Sequence, residues 1–149
     1  MKINVAAPSL KDAEESLLRV KGAKEVTCPH WSLSEIYLHC AQTIDYSISG
    51  YPQLKPVIIR ATVGRLAIRK FLGQGYMKHN LSAPVPGGQA FKGDKSISES
   101  MDELFSAIQR FRDYNGEFKL HLLFGKLSKE EYDSYFAMHI ADHLSELSF

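Results

Sequence analysis

The sequence lacks any apolar run near the roughly 20 residues that a membrane-spanning helix needs, so a membrane partner is not expected. Cysteine is scarce. Cys28 and Cys40 are the two present, and their placement suggests no disulfide framework. Two reduced thiols are expected, with Cys40 packed on a helix. Neither sign of charge is in excess. Eighteen basic and seventeen acidic residues leave a net charge of +1, which argues against a nucleic-acid partner. The opening stretch MKINVAAPSLKDAEE has no apolar core and soon turns acidic, unlike an export signal, so the cytoplasm is the expected location. A Gly-x-Ser-x-Gly elbow is missing. The fragment GQGYMK lacks the third glycine of a phosphate loop and follows a helix rather than a strand. There is no internal repeat, low-complexity tract or composition break, so residues 1–149 are expected to form one helical-bundle domain.

What is present is helical periodicity. The 149 residues are 44% apolar and 23% charged, enough for a core that needs no staple. Leu10, Ala13, Leu17 and Val20 mark a first helix, capped by Ser9. Ser32 and Glu35 form a capping box before Ile36, Cys40, Ile44 and Ile48, and Gly50 with Pro52 ends that helix. Pro56 suits the first turn of a third, whose stripe reads Ile59, Val63, Leu66, Ala67 and Phe71. A fourth starts at Ser96 with Glu99 and carries Met101, Leu104, Ile108 and Phe111 up to Asn115-Gly116. The last opens with Ser128 and Glu131 and runs through Tyr132, Phe136, Ile140, Leu144 and Leu147. The piece FKLHLLF alternates weakly and reads as extended. The expected fold is all-α, a mainly antiparallel four-helix bundle. A long loop over residues 73–96, broken by Gly73, Gly75, Pro84, Pro86, Gly87, Gly88 and Gly93, separates its third and fourth helices.

After Asp45 the next acidic residue is Asp94. Between them lie Lys55, Arg60, Arg65, Arg69, Lys70, Lys78 and Lys92. Such a cluster is either a solvated face or a rim that attracts an anionic small molecule.

The histidines carry the candidate chemistry. His139 and His143 stand four apart and so stack on one helix face, alongside Tyr132, Phe136 and Leu147. Two neutral imidazoles one turn apart can chelate a divalent metal. His39 lies near the middle of the second helix, as His139 does in the last. If those helices pack side by side, their midpoints meet and supply a third ligand. Three protein ligands leave a position open for water or substrate. Asp142 is a candidate to steady an imidazole from behind, and His121 is a weaker candidate beside the last helix. His30 and His79 fall in loops and read as surface histidines. With the free imidazole pKa of about 6.5, protons should compete with metal below roughly pH 6. Cys40 beside His39 is no nucleophile pair, since neighbouring helix residues point about 100° apart.

Several motifs occur in a familiar order. They are Trp31-Ser32, Leu38-His39-Cys40, the stretch NLSAPVP from Asn80 to Pro86, His121-x-x-Phe124-Gly125-x-Leu127-Ser128-x-Glu130-Glu131, and His139-x-x-Asp142-His143-Leu144. With them the chain resembles the DinB/YfiT-like superfamily of four-helix metalloproteins, in one of its uncharacterised branches. The resemblance implies that His39, His139 and His143 bind zinc or nickel. It also implies a metal-dependent reaction using a low-molecular-weight thiol or water. The sequence departs from that branch at Asp142, where a histidine is common, at Glu146, where glutamine is common, and at Tyr132, where tryptophan is common.

Two readings of function follow. One is a metal-dependent enzyme that transfers a thiol or hydrolyses its substrate with metal-activated water. The other is a non-catalytic ligand-binding or regulatory bundle that keeps the metal site. The expected partner is a small, anionic molecule, and a homodimer is left open. No catalytic or substrate-binding side chain is nominated.

Overall fold

Ser9, Ser32, Ser96 and Ser128 each stand in extended backbone just before a helix, and each hydroxyl accepts the backbone N–H three residues on. These bonds satisfy donors that a helix start leaves without partners. Only Ser128 completes a reciprocal box, with its N–H donating to the Glu131 carboxylate at 2.9 Å. At Ser32 the hydroxyl donates to Glu35 instead, so only half of the expected box forms. The computed structural model describes residues 9–23, 26–89, 91 and 95–148. Lys92, Gly93 and Asp94, from the basic stretch and the long loop, lie outside the described residues.

The described residues are all-helical, with five helices and no strand. Helix α1 is Leu10–Lys21 and α2 is Leu33–Ser49. Helix α3 runs over 57–74, with a π-turn at Arg60–Gly64 set between α-helical ends. Helix α4 is Ile97–Asp113 and α5 is Lys129–Ser145. None is long and apolar enough to cross a membrane.

The stripes of α1, α4 and α5 are buried as their periodicity requires, from Leu10 and Leu17 through Leu104 and Phe111 to Phe136 and Leu144. Helix α2 buries Ile36, Cys40 and Ile44 and lies along α4, with Ile48 only partly covered. The Arg110 guanidinium of α4 donates to both carboxylate oxygens of Asp45 on α2, at 3.0 and 2.8 Å. Helix α5 is buried almost all round, because α1, α2 and α3 all pack against it. An element covered on every side hides its polar residues as well as its apolar stripe. Both cysteines are free, with Cys40 in the core.

Two expectations are corrected here. FKLHLLF forms no strand. His121 and Gly125 instead close a tight turn, exchanging backbone bonds of 2.8 and 3.2 Å across a left-handed Gly125. And the inward face of α3 is not the one its period suggests. Val63 and Leu66 are 59% and 67% exposed, while Gly64 and Ile68 are buried. A π-turn hydrogen bond spans five residues instead of four, so Ile59 lies over Gly64 and Val63 swings outward. Gly64 is what makes the close approach possible. A Cβ there would collide with the Leu123 carbonyl of the 121–125 turn. Arg65 reinforces the contact by donating to the Phe124 and Lys126 carbonyls at 3.3 and 2.7 Å.

These contacts set the expected order of two substitutions in urea unfolding. Gly64→Ala must push α3 off the turn and should lose about 1–3 kcal/mol, as overpacking does. Leu66→Ala removes an exposed side chain and should stay within about 0.5 kcal/mol of the parent. A larger loss for Leu66→Ala than for Gly64→Ala would mean that Leu66, not Gly64, faces inward.

Candidate metal centre

The midpoints of α2 and α5 meet, and imidazoles occupy the contact. His39 of α2 and His139 and His143 of α5 are all buried, at 4%, 4% and 0% exposure. The Nε2 atoms of His39 and His139 are 3.2 Å apart. The three ring centroids form a near-equilateral set, with separations of 5.0, 5.1 and 4.9 Å. One nitrogen from each ring lies within 4.8 Å of the others, so the group could hold a metal ion.

The donor set fits such an ion. Nitrogens bound to one tetrahedral centre at about 2.0–2.1 Å sit about 3.3 Å from each other, close to the His39–His139 spacing. An all-imidazole set suits zinc, nickel or copper and disfavours magnesium and calcium, which take oxygen donors. Buried polar atoms normally have partners, yet the Nδ1 atoms of His39 and His143 have none among the described residues. That leaves three imidazoles whose burial hydrogen bonding only partly offsets.

Two further rings complete the walls. Trp31, just before α2, meets His39 edge-on at 4.9 Å and stacks over His143 at 6.0 Å. His79 comes from the segment after α3. Its ring lies 4.8 Å from both His139 and His143, and its Nε2 is 3.2 Å from the His143 Nε2. This corrects the reading of His79 as surface. No periodic pattern surrounds it, and the one local signal is a histidine inside a glycine- and proline-broken loop. His30 does lie at the surface, its side chain 49% exposed and 3.9 Å from Glu146.

Residues 3–148 match a family model described as a protein of unknown function, DUF1569. The chain belongs to the DUF1569 family. No curated protein and no solved structure matches it.

Within this DUF1569 chain the other candidates separate by what they touch. Asp142 turns away from His143 and holds His79, accepting its ring Nδ1 at 2.7 Å and its backbone N–H at 2.9 Å on one oxygen. His121 is 4% exposed but is engaged in its own turn. Its Nδ1 accepts the backbone N–H groups of Leu123 and Phe124 at 3.1 Å each, and its ring stacks on Phe124. Tyr132 is fully buried and donates its hydroxyl to the Lys119 carbonyl at 2.7 Å. Of the basic stretch, Arg60 and Arg65 donate to backbone carbonyls, while Lys55, Arg69, Lys70 and Lys78 are exposed.

Burial also decides the charge state of the cluster. It pushes His39 down to about 4, with His79 nearby adding to the effect. It pushes His143 to about 2 and His139 well below the free value, and the neighbouring imidazoles act in the same direction. His121 falls to about 3 through burial alone. Proton competition for the folded site therefore sets in well below the roughly pH 6 expected of free imidazole.

A depressed histidine pKa in the fold means that the unfolded chain binds more protons between the two values. Metal-free stability should be full above about pH 6.5, the free value, and should fall as pH drops toward about 4, where His39 titrates in the fold. The slope should be on the order of 1 kcal/mol per pH unit for each buried imidazole. Urea midpoints of metal-free protein between about pH 7.5 and 4, a range that spans that window, read it directly. A flat profile would show that these rings are solvated.

Proposed function

We propose that this chain is a metal-dependent enzyme in which His39, His139 and His143 hold zinc or nickel. The substrate would be a low-molecular-weight thiol or a molecule cleaved by water. The carrying observation is the meeting of three buried, neutral imidazoles from two helices with their nitrogens in chelating range. We read the scaffold as a DinB/YfiT-like, mainly antiparallel four-helix bundle built from α1, α2, α4 and α5, with α3 packed against α5.

A bound divalent metal supplies Lewis acidity that lowers the pKa of a thiol or water held at it. The chain's own residues do the rest. The three imidazoles arrive neutral because burial disfavours their charged forms, so their lone pairs are available near neutral pH. Trp31 and the apolar faces of α2 and α5 keep bulk water from the rings, which strengthens electrostatic interactions there. Asp142 fixes His79 at the mouth of the site. The exposed Lys78, next to His79 in the chain, gives the mouth a positive bias toward an anionic thiol or substrate.

A second reading has its own observation. A cavity of about 600 Å³ lies between α1, α2 and α4, lined by Val20, Cys28, Leu33, Tyr37, Ile97 and Met101, and no histidine borders it. A ligand taken up there, with the metal kept elsewhere for stability, would make the chain a non-catalytic binding bundle.

Protein purified without a histidine tag should carry about one zinc or nickel per chain, and His139→Ala or His143→Ala should abolish it, since the two helix-borne imidazoles that remain hold a metal far less tightly than three. Metal analysis of the three proteins checks this, and full retention in both variants would refute the ligand assignment. Chelation should leave the circular dichroism of the helices intact, because the apolar core folds the chain without metal. In the cobalt-loaded protein, cysteine as a probe thiol should produce a sulfur-to-cobalt charge-transfer band. Metal binding without any such band would favour the binding-bundle reading.

A further inference from the structure

The three chelating histidines sit on helices, but the ring that closes over them does not. We propose that His79 is a fourth nitrogen donor to the same ion, carried on a loop, oriented by Asp142 and displaced when an anionic ligand enters. The inference rests on the metal reading above and adds to it which residue occupies the open position at rest and how that position is vacated.

The geometry assigns the nitrogen. One Asp142 oxygen accepts both the His79 backbone N–H and its ring Nδ1, at 2.9 and 2.7 Å. A carboxylate can only accept, so Nδ1 carries the proton and the lone pair is left on Nε2. That atom points into the cluster, 3.2 Å from the His143 Nε2, the same spacing as between His39 and His139. A carboxylate behind a metal-binding imidazole both fixes its tautomer and raises its basicity. Asp142 is thus a positioning residue for His79, and its place beside His143 on α5 puts the anchor at the level of the site.

The location makes this donor the one that leaves. His39, His139 and His143 are held by helix backbone and are at most 4% exposed. The His79 side chain is 22% exposed and belongs to a segment with neither helix nor strand, between Gly75 and the Asn80–Ser82 turn. Met77 and Val85 pin the segment on either side. Moving His79 therefore breaks its two bonds to Asp142 and no secondary structure. Its departure uncovers a coordination position and opens that position to solvent in the same motion. The exposed Lys78 adjoins the opening, which favours a thiolate, carboxylate or other anionic donor as the entering group.

Cobalt(II) in place of the native metal reads the coordination number, since four-coordinate sites absorb visible light far more strongly than five- or six-coordinate ones. The wild-type chain should bind one cobalt with intense visible bands. His79→Ala and His79→Gly should still bind one cobalt but with shifted visible bands, as water takes the place of the ring, and with weaker affinity. Added imidazole should restore the bands of His79→Gly. Asp142→Asn should weaken affinity in the same direction and shift the spectrum toward that of His79→Ala. Azide, as the anionic probe, should alter the wild-type spectrum at several-fold higher concentration than it alters His79→Ala, because in the wild type it must first displace the ring. Wild-type spectrum and affinity in both His79 variants would overturn the fourth donor while leaving the three-histidine site standing. A wild-type spectrum unmoved by saturating azide would overturn displacement. Failure of the wild-type chain to bind cobalt at all would sink the metal reading itself, and this inference with it.

Discussion

Everything at the centre of this chain is arranged around one unfavourable act, the burial of several imidazoles where two helices touch. A polar ring taken out of water without partners costs free energy unless something replaces its hydrogen bonds. Here the rings replace them only partly, through each other. His39 and His139 are in nitrogen contact, as are His79 and His143, while two Nδ1 atoms have no partner among the described residues. The apolar stripes of α1, α2, α4 and α5 supply the stability that permits this arrangement. The arrangement in turn leaves lone pairs concentrated in a region from which protons are excluded. That is the physical condition for holding a soft or borderline cation.

Helix α3 serves the same centre indirectly. Its π-turn brings Gly64 onto the Leu123 carbonyl and turns Ile68 inward, which docks the helix against α5 and the 121–125 turn. His121 stiffens that turn through its own backbone bonds and so acts as a local brace. The chain that leaves α3 then has a short path back to α5, where Asp142 takes hold of it at His79. The carboxylate at position 142 gains a physical meaning in this way. A carboxylate there grips an imidazole that arrives from a loop, whereas a histidine would add one more ring to the cluster.

The outer face of α3 shows what the register shift leaves behind. Val57, Ile58, Val63 and Leu66 are all more than half exposed, next to Arg69 and Lys70. Scattered exposed apolar residues are ordinary on protein surfaces. These follow directly from the π-turn, since an uninterrupted α-helix would have turned part of the set inward.

Much of this was legible from residue order alone. The serine caps, the helix extents and the inward stripes of α1, α4 and α5 follow from local rules, because capping and amphipathic period act within a few residues. The pairing of His139 with His143 was legible for the same reason, and His39 was found by supposing that helix midpoints meet. The rest depended on contacts between segments far apart in sequence. The face of α3 departs from its period because a π-turn leaves no mark in the hydrophobic pattern, and the turn accompanies the approach of Gly64 to a segment about sixty residues later. His79 could not be seen as part of the cluster, since nothing near it in sequence distinguishes it from a surface histidine. Its place was decided only when the fold brought Asp142, sixty-three residues on, within 2.7 Å of its ring. The sequence by itself determined which helices form and which of their residues face inward wherever the period runs unbroken. The tertiary structure alone decided which imidazoles share a site, because ring-to-ring distance is set by how helices and loops pack and leaves no local pattern to read.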